Sequence, residues 1–339
     1  MQKQWHLKSR PKLAPSLDNF ELVHAPIPKL ESGKALVKVL YLGVAPVMLR
    51  YMRNETDFEQ TLGIGDLMPG RGVGQVIVSD CKELPEGAFV QARLGWQEYA
   101  LIDGNQNPRP FVLDHTDLPL SYGISTLALS GFTGLVGLRE IGLVKPEDHV
   151  LVSGAAGGVG SQVAMIAKAL GVKNITGIAG GPRKCQIMTE VLGYDQALDY
   201  KTTNLEEQID GAFPDGIDVF FDNVGGALLD SVLARLRRRA RIVICGGISE
   251  YLLPPAQKHK FAHLQNLGRQ DAKMEAFFIY DYQSHFGSYA AELADWIRAG
   301  LIQPLEDISE GIETLPQALI DLYAGQNLGV RMARVGVPE

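Results

Sequence analysis

The stretch Leu151–Gly171, LVSGAAGGVGSQVAMIAKALG, decides the fold of this chain. Its first residues belong to the apolar run HVLVSGA, which predicts a buried strand, and SQVAMIAKALG has the apolar spacing of a helix closed by Gly171. Four glycines separate the two elements: Gly154, Gly157, Gly158 and Gly160. Glycine permits a tight turn, lets the backbone approach a pyrophosphate, and leaves free N–H groups at the helix start to face an anion. The spacing is G-x-x-G-x-x-G, whereas the dinucleotide fingerprint is G-x-G-x-x-G. Because the loop joins a strand to a helix, we still predict that it binds a dinucleotide, and an ordinary tight turn is the alternative.

The residues around this loop continue the alternation of strands and helices. NITGIAGG predicts a second strand, RKCQIMTEVLG a helix ending at Gly193, and QALDY and GIDVFFDNVG two further strands. The helix ALLDSVLARLR and the strand ARIVICGGI follow. Alternation of this kind gives parallel βαβ units. We therefore predict an α/β fold whose residues 122–298 form a doubly wound parallel sheet.

The residues before this region have a different character. KALVKVLYLGVAP (34–46) and GVGQVIVSD (72–80) are rich in β-branched residues and bounded by glycine or proline. They predict a mostly antiparallel β domain over residues 1–121. The last residues, 299–339, end in the strand-like VRMARVGV, and we expect them to complete the first domain.

Composition and charge narrow the classes of protein. The 339 residues are 46% hydrophobic and carry a net charge of -7, which argues against general nucleic-acid binding. No apolar run is long enough to cross a bilayer, and MQKQWHLKSRP has no apolar core after its charges, so we expect neither a membrane span nor a secretory signal. Three widely spaced cysteines suit the reducing cytoplasm. No Cys/His cluster has metal-ligand spacing, so we expect no metal.

The end of the second predicted strand indicates which dinucleotide binds. An NAD site places Asp or Glu about 20 residues after the glycine loop, to bind the ribose 2′-hydroxyl. Here IAGGPRKC has no carboxylate; it brings Gly180, Gly181, Arg183 and Lys184 instead. The alternative is an ordinary charged first helical turn, but cations are disfavoured at a helix N-terminus. Cations beside small residues accept a 2′-phosphate, so we predict NADP(H).

Several motifs together resemble one family, the zinc-independent medium-chain dehydrogenases/reductases, in the group of prostaglandin, plant double-bond and curcumin reductases. The motifs are GRGVGQV, LGWQEYALIDG, YGISTLALSGFTGLVGL, AAGGVGSQVAMIAKALG, FDNVGG, ICGGISEY, MEAFFIYDY and GQNLGVRMARV. The resemblance implies a GroES-like catalytic domain, a Rossmann cofactor domain and a homodimer. It also implies NADPH-dependent reduction of the C=C bond of α,β-unsaturated ketones or aldehydes, by hydride transfer to the β-carbon and protonation of the enolate.

The resemblance assigns site residues by position. The cofactor-binding residues it implies, together with those predicted above, are Ala156, Gly157, Gly158, Val159, Gly160, Gly181, Arg183, Lys184, Tyr200, Asn223, Cys245, Gly246, Gly247, Ile248, Ser249, Phe277, Phe278, Ile279 and Asn327. Tyr251 is the candidate catalytic residue, because a phenol can donate a hydrogen bond to the enolate oxygen. The alternatives for Tyr251 are a purely structural role, or protonation by water.

The substrate half departs from the family pattern. Ala45, Val47 and Leu49 stand where relatives often carry aspartate, tyrosine and arginine, while Leu252 and Val330 replace asparagine and lysine. The candidate substrate-pocket residues are Val47, Met48, Tyr51 and Met68, and ordinary core packing is the alternative for each. Two other functions stay open: an NADPH quinone reductase of the same superfamily, and a non-catalytic NADPH-binding protein.

Overall fold

The computed structural model describes residues 1–55, 62–202 and 204–339, and the chain divides into two compact units. The first unit comprises Met1–Ala128 and Glu306–Glu339, and the second comprises Leu129–Leu305. The domain limits expected from the sequence stay a prediction.

The first unit is built mostly from antiparallel strands. Its strands are β1 (Gln2–Leu7), β2 (Phe20–Ala25), β3 (Lys34–Gly43), β4 (Arg71–Ser79), β5 (Phe89–Arg93), β6 (Tyr99–Asp103), β7 (Phe111–Val112), β14 (Glu306–Glu310) and β15 (Val330–Arg334). Its helices are α1 (Met48–Arg53) and α10 (Leu315–Tyr323), with 3₁₀ turns at Leu17–Asn19, Leu120–Gly123 and Ile312–Thr314. Strands β1 and β2 pair by themselves, and the others form a seven-stranded sheet of order β14-β15-β3-β4-β5-β7, with β6 also on β3.

The C-terminal residues return to this sheet. Strand β15 pairs antiparallel with β3, with Met332 opposite Gly43, and β14 pairs parallel with β15. Val330 is buried in a cluster with Val73 and Met332. An apolar residue therefore suits position 330.

The second unit contains the parallel sheet. Its strands are β8 (His149–Ser153), β9 (Asn174–Ala179), β10 (Gln196–Asp199), β11 (Ile217–Asp222), β12 (Leu236–Ile244) and β13 (Lys273–Ala276). Its helices are α2 (Leu129–Val136, continued by a π-helical turn at Gly137–Ile141), α3 (Gly160–Ala169), α4 (Pro182–Glu190), α5 (Leu205–Ala212), α6 (Gly226–Leu233), α7 (Ile248–Tyr251), α8 (Gln265–Arg269) and α9 (Phe286–Arg298). Short 3₁₀ helices lie at Pro255–Gln257 and Ile279–His285.

The strand order places the site of the second unit. The order is β10-β9-β8-β11-β12-β13, and every pair is parallel. Counted within this unit, the order is 3-2-1-4-5-6, that of a doubly wound dinucleotide-binding sheet. The chain reverses its direction of winding between β8 and β11, and ligands of such sheets bind outside the carboxyl ends of the strands at that point. The predicted fold is confirmed.

The central strands β8, β9 and β11 are buried because they are apolar on both faces. Leu151, Ile178 and Phe220 lie in one buried cluster with residues of α5 and α6. Continuous apolar strands of this kind are typical of parallel sheets covered by helices on both sides.

The arginine-rich run (235–241) lies largely in a strand, whereas the pattern ALLDSVLARLR predicted that its first residues belong to a helix. Helix α6 ends at Leu233, and β12 begins at Leu236, with a bulge against β11 and a positive φ of 63° at Arg239. Arg235 pairs with Asp210, Arg237 with Asp218, Arg239 with Asp271, and Arg241 with Asp148. These pairings neutralise much of the positive charge of the run.

No helix within the described ranges combines the length and the apolar character that spanning a bilayer requires.

Candidate functional site

The glycine loop lies at the carboxyl end of β8, where the winding reverses. Helix α3 begins at Gly160, directly beside the start of the loop: a Cβ built on Gly160 would lie 2.2 Å from the carbonyl oxygen of Gly154 and 2.7 Å from the Cα of Ala155. Both atoms belong to the backbone, so only glycine fits at this position. Tyr194, which precedes β10, donates a hydrogen bond from its buried hydroxyl to the carbonyl of Gly160 at 2.7 Å. This bond holds the first turn of α3 in place.

A buried carboxylate joins the ends of β8 and β11. Asp222 is fully buried and accepts a hydrogen bond from the Ser153 hydroxyl at 2.7 Å and from the N–H groups of Val224 and Gly225 at 3.0 and 3.1 Å. Burial raises the pKa of the Asp222 carboxyl, although these donors favour its ionised form. Asn223 donates its own N–H to the Ser153 hydroxyl and its side-chain amide to the Ser153 carbonyl. The loop after β11 is therefore fastened to the end of β8.

The loop after β12 is fastened in turn to the loop after β11. The N–H groups of Cys245 and Gly246 donate to the Asp222 carbonyl at 2.8 and 3.1 Å. Ser249 donates its N–H and its hydroxyl to the Val224 carbonyl. Burial, with the nearby Asp222 carboxylate, raises the pKa of the Cys245 thiol to about 12. This thiol therefore stays protonated at neutral pH.

Three loops thus meet at one point of the sheet edge, and the arrangement fits a dinucleotide. The loops after β8 and β11 touch at Gly154, where a Cβ would lie 3.4 Å from the Cβ of Asn223. The loops after β11 and β12 touch at Gly246, where a Cβ would lie 3.4 Å from the carbonyl oxygen of Asn223. A glycine loop that leads into the N-terminus of a helix, as here into α3, is the arrangement that binds a pyrophosphate in dinucleotide-binding folds. The structure brings together the following predicted residues of these loops: Ala156, Gly157, Gly158, Val159, Gly160, Asn223, Cys245, Gly246, Gly247, Ile248 and Ser249.

Tyr251 is the last residue of α7, at the end of the third loop. Its ring lies beside Gly247, where a Cβ would be 4.0 Å from the Tyr251 Cε1, and Gly247 N–H points to the phenol oxygen at 3.5 Å. That distance is at the limit of a hydrogen bond. The third loop therefore holds this phenol close to the residues predicted to contact nicotinamide.

The predicted 2′-phosphate residues collect at the carboxyl ends of β9 and β10. Gly181 precedes α4 with a φ of 93°, which favours glycine, and Arg183 and Lys184 follow in the first turn. The ring of Tyr200, after β10, packs against Gly180, where a Cβ would lie 2.7 Å from the ring. The N–H of Gly181 donates to Asp199 at 2.8 Å, so this amide is already engaged.

Lys184→Ala is expected to weaken NADPH binding selectively. A charge-assisted contact to a phosphate contributes ~1.5–3 kcal/mol, which is roughly a 10- to 100-fold change in Kd. Titration of the variant with NADPH and NADH measures the effect, and the exposed Lys173→Ala is the matched control. Equal losses for both cofactors would contradict a role at the 2′-phosphate.

The remaining predicted residues follow β13 or belong to the first unit. Phe277, Phe278 and Ile279 follow β13 in the second unit. In the first unit, Asn327 precedes β15 and donates its side-chain amide to the Gly329 carbonyl at 3.2 Å. Four further residues of this unit were candidates for the substrate pocket: Val47 and Tyr51 are half-buried, whereas Met48 and Met68 are buried. Their roles stay predictions.

The segment after α7 is tied back to α6 by one acid. Asp230, only 5% exposed, accepts hydrogen bonds from the N–H groups of Ala262 and His263 and from the ring Nε2 of His259 at 3.0 Å. Burial opposes ionisation of Asp230, but these donors outweigh it and lower the pKa to about 2. Both ends of the segment that carries Tyr251 are therefore anchored on residues 222–230.

Asp230→Ala is expected to destabilise the second unit by ~2–3 kcal/mol near pH 6, because three donors lose a charged acceptor. The folded-state pKa lies below the ordinary 3.8, so the contribution is complete above about pH 4 and is lost as the pH falls towards 2. Urea unfolding of the wild-type and variant chains at several pH values measures this. A difference that stays constant from pH 6 to pH 2 would contradict the assignment.

The described part of the chain contains no group of three His, Cys, Asp or Glu side chains placed to hold a metal ion. Metal independence of the reaction stays a prediction.

The polar residues Ser153 and Asp222 of the site had no role assigned from the sequence. Each is the last residue of an apolar strand, and polar residues at the carboxyl ends of such strands are a usable signal. Tyr194 gave no such signal, since its bond to Gly160 spans 34 residues.

Comparison with known proteins covers nearly the whole chain. A family model described as the N-terminal domain of oxidoreductase matches residues 3–109, and one described as zinc-binding dehydrogenase matches residues 158–296. The chain is 34% identical to the NADPH-dependent curcumin reductase of Escherichia coli (strain K12), over 98% of this chain and 96% of that protein. It is 37% identical to prostaglandin reductase 1 of Mus musculus, over 96% and 97%. The crystal structure of CurA from Vibrio vulnificus in complex with NADPH superposes with a TM-score of 0.91 at 35% identity, over 99% and 100%.

The fold and the site define a medium-chain dehydrogenase/reductase with a Rossmann cofactor unit. Within that superfamily, the chain belongs to the zinc-independent NADP-dependent oxidoreductases that include the curcumin and prostaglandin reductases. The sequence-based predictions of the family and of an NADP-dependent oxidoreductase are confirmed.

Proposed function

We propose that this chain reduces the C=C bond of α,β-unsaturated ketones or aldehydes with NADPH. The observation that carries the proposal is full-length similarity to reductases named for such substrates: curcumin reductase, prostaglandin reductase and, at 35% identity, the 2-alkenal reductase of Nicotiana tabacum. The three loops that meet at the end of β8 support the cofactor half of the proposal.

The cofactor would lie along the carboxyl edge of the second unit. The pyrophosphate would meet the glycine loop and the start of α3, while Arg183, Lys184 and Tyr200 would hold the 2′-phosphate. Loops anchored on Asp222 and Asn223 would orient the nicotinamide. Bound there, NADPH supplies a hydride to the β-carbon of the substrate.

The residues of the chain then have to stabilise the charge that develops on the carbonyl oxygen. A hydrogen-bond donor that points at this oxygen can stabilise the charge without a metal ion. Tyr251 is our candidate donor, because it is a phenol held at the end of the loop predicted to contact nicotinamide and ribose. Protonation of the α-carbon follows, from Tyr251 or from water.

Steady-state rates of NADPH oxidation with 2-alkenals, enones and quinones test the proposed reaction. We expect kcat/KM for the best enone or enal to exceed that for quinones by at least about tenfold, roughly 1.4 kcal/mol in transition-state binding. Faster reduction of quinones would favour the alternative quinone reductase. Oxidation of NADPH by none of these acceptors would favour a non-catalytic cofactor-binding protein.

We also propose that the chain is a homodimer that uses the β13 edge of the parallel sheet. Strand β13 is the last strand of that sheet, all four of its residues are exposed, and unpaired edges of this kind can pair with a second copy. Light scattering is expected to give about 74 kDa, twice the 37.0 kDa of one chain. A mass near 37 kDa at working concentration would contradict the dimer.

A further inference from the structure

An acid occupies the place where a helix start would attract an anion. Asp199 ends β10, and its Oδ1 accepts hydrogen bonds from the N–H of Gly181 at 2.8 Å and the N–H of Lys201 at 2.9 Å. Gly181 is the residue from which α4 starts. The carboxylate therefore lies against the positive end of α4, where negative charge is stabilised.

This acid lies beside the start of α4 and directly before Tyr200, where residues that would hold the 2′-phosphate lie, so the inference rests on the proposed function. Tyr200 follows Asp199 directly, and Lys184 lies in the first turn of α4. Burial raises the pKa of the Cys185 thiol in the same turn, and the negative charge of Asp199 raises it further. The charge of Asp199 therefore acts on the first turn of α4. A 2′-phosphate bound by Lys184 and Tyr200 would meet the same negative field.

We propose that Asp199 is a specificity-determining residue that weakens binding of the 2′-phosphate and so limits the preference for NADPH over NADH. Its hydrogen bonds fix Gly181 and Lys201, and with them the start of α4 and the backbone on both sides of Tyr200. An acceptor is needed for that task, but a charge is not. The charge repels the phosphate, and it is present because the acceptor at this position is a carboxylate.

The Asp199→Asn variant separates support of the backbone from repulsion of the phosphate. Its amide oxygen can still accept hydrogen bonds from both N–H groups at Oδ1, while the charge is removed. The probes are 2′,5′-ADP and 5′-AMP, which differ by the 2′-phosphate alone, and calorimetry gives their Kd values. We expect the variant to bind 2′,5′-ADP about three- to tenfold more tightly, as for charges several ångströms apart near a protein surface. The Kd of 5′-AMP should change less than twofold. Raising the salt concentration to about 0.5 M should remove most of the difference.

Asp195→Asn is the matched control at the other end of β10. Asp195 likewise accepts a backbone N–H, from Ile175 at 2.8 Å, and it pairs with Lys168 at 2.6 Å. The net-charge change is the same, but the substitution lies at the amino end of the strand. It should leave both Kd values unchanged, which excludes an effect of net charge alone.

The proposal is overturned if a folded Asp199→Asn variant binds 2′,5′-ADP with the same affinity as the wild type or more weakly. Should that variant not fold, Asp199→Ser offers a neutral hydroxyl acceptor, and the same result is expected of it. The Lys184→Ala variant distinguishes failure of this inference from failure of the proposed cofactor site. If Lys184→Ala weakens 2′,5′-ADP while the Asp199 variants do not strengthen it, only this inference fails. If Lys184→Ala has no effect, the phosphate binds elsewhere, and the proposed cofactor site fails with the inference.

Discussion

Replacing Gly160 by alanine is expected to weaken NADPH binding by at least ~100-fold. The new Cβ would lie 2.2 Å from the Gly154 carbonyl oxygen, a backbone atom that cannot rotate away, so the glycine loop must shift. The shift would move the N–H groups that face the pyrophosphate, and each charge-assisted hydrogen bond lost costs ~1.5–3 kcal/mol. Loss of two is enough for the expected change.

Titration of the Gly160→Ala variant with NADPH measures this, with circular dichroism to show that the chain still folds. Gly211→Ala is the matched control: Gly211 lies in α5, and a Cβ there meets no atom within 4 Å. The control should bind NADPH like the wild type. A Gly160→Ala affinity within threefold of the wild type would show that the loop does not hold the pyrophosphate.

Tyr251→Phe is expected to lower the rate of hydride transfer by ~10²–10³, the usual cost of losing one donor to a developing oxyanion. The affinity for NADPH should be nearly unchanged, because the ring remains beside Gly247 and the anchors of its loop lie on Asp222, Asn223 and Val224. A smaller loss would indicate that the ribose hydroxyl or water shares the role.

Single-turnover oxidation of NADPH with a reactive enone separates hydride transfer from product release. Tyr99→Phe in β6 removes a phenol to which we assign no role, and it should leave the rate unchanged. If Tyr251→Phe also left the single-turnover rate unchanged, Tyr251 would be a structural residue of the loop.

The features that the sequence predicts correctly are those encoded by neighbouring residues. The glycine loop, the strand before it and the helix after it lie within Leu151–Gly171, so their pattern identified the fold. The absence of an Asp or Glu directly after β9 is also a local feature of the sequence, and it indicated NADP(H) rather than NAD(H). Strand pairing was not local: the bond between Ser153 and Asp222 spans 69 residues and depends on β8 lying beside β11.

Two other features were misjudged or missed for the same physical reason. The predicted helix ALLDSVLARLR includes Arg235 and Arg237 because the apolar pattern of α6 continues to Leu236, whereas pairing with β11 makes the residues from Leu236 onwards a strand. Asp199 and Asp230 had no assigned role, since their importance comes from N–H donors at Gly181 and at Ala262 that only the folded chain brings near. Sequence patterns identify elements; buried polar partners depend on how the elements pack.

The measurement that tests the central claim most directly follows the hydride itself. The protein is given NADPH with deuterium at both C4 positions and the enone 4-phenyl-3-buten-2-one, and the product is analysed by NMR and mass spectrometry. We expect the saturated ketone with one deuterium on the β-carbon and a solvent proton on the α-carbon. Deuterium on the carbonyl carbon of an alcohol, or no deuterium in any product of this or other enones, would contradict the proposed reduction of the C=C bond.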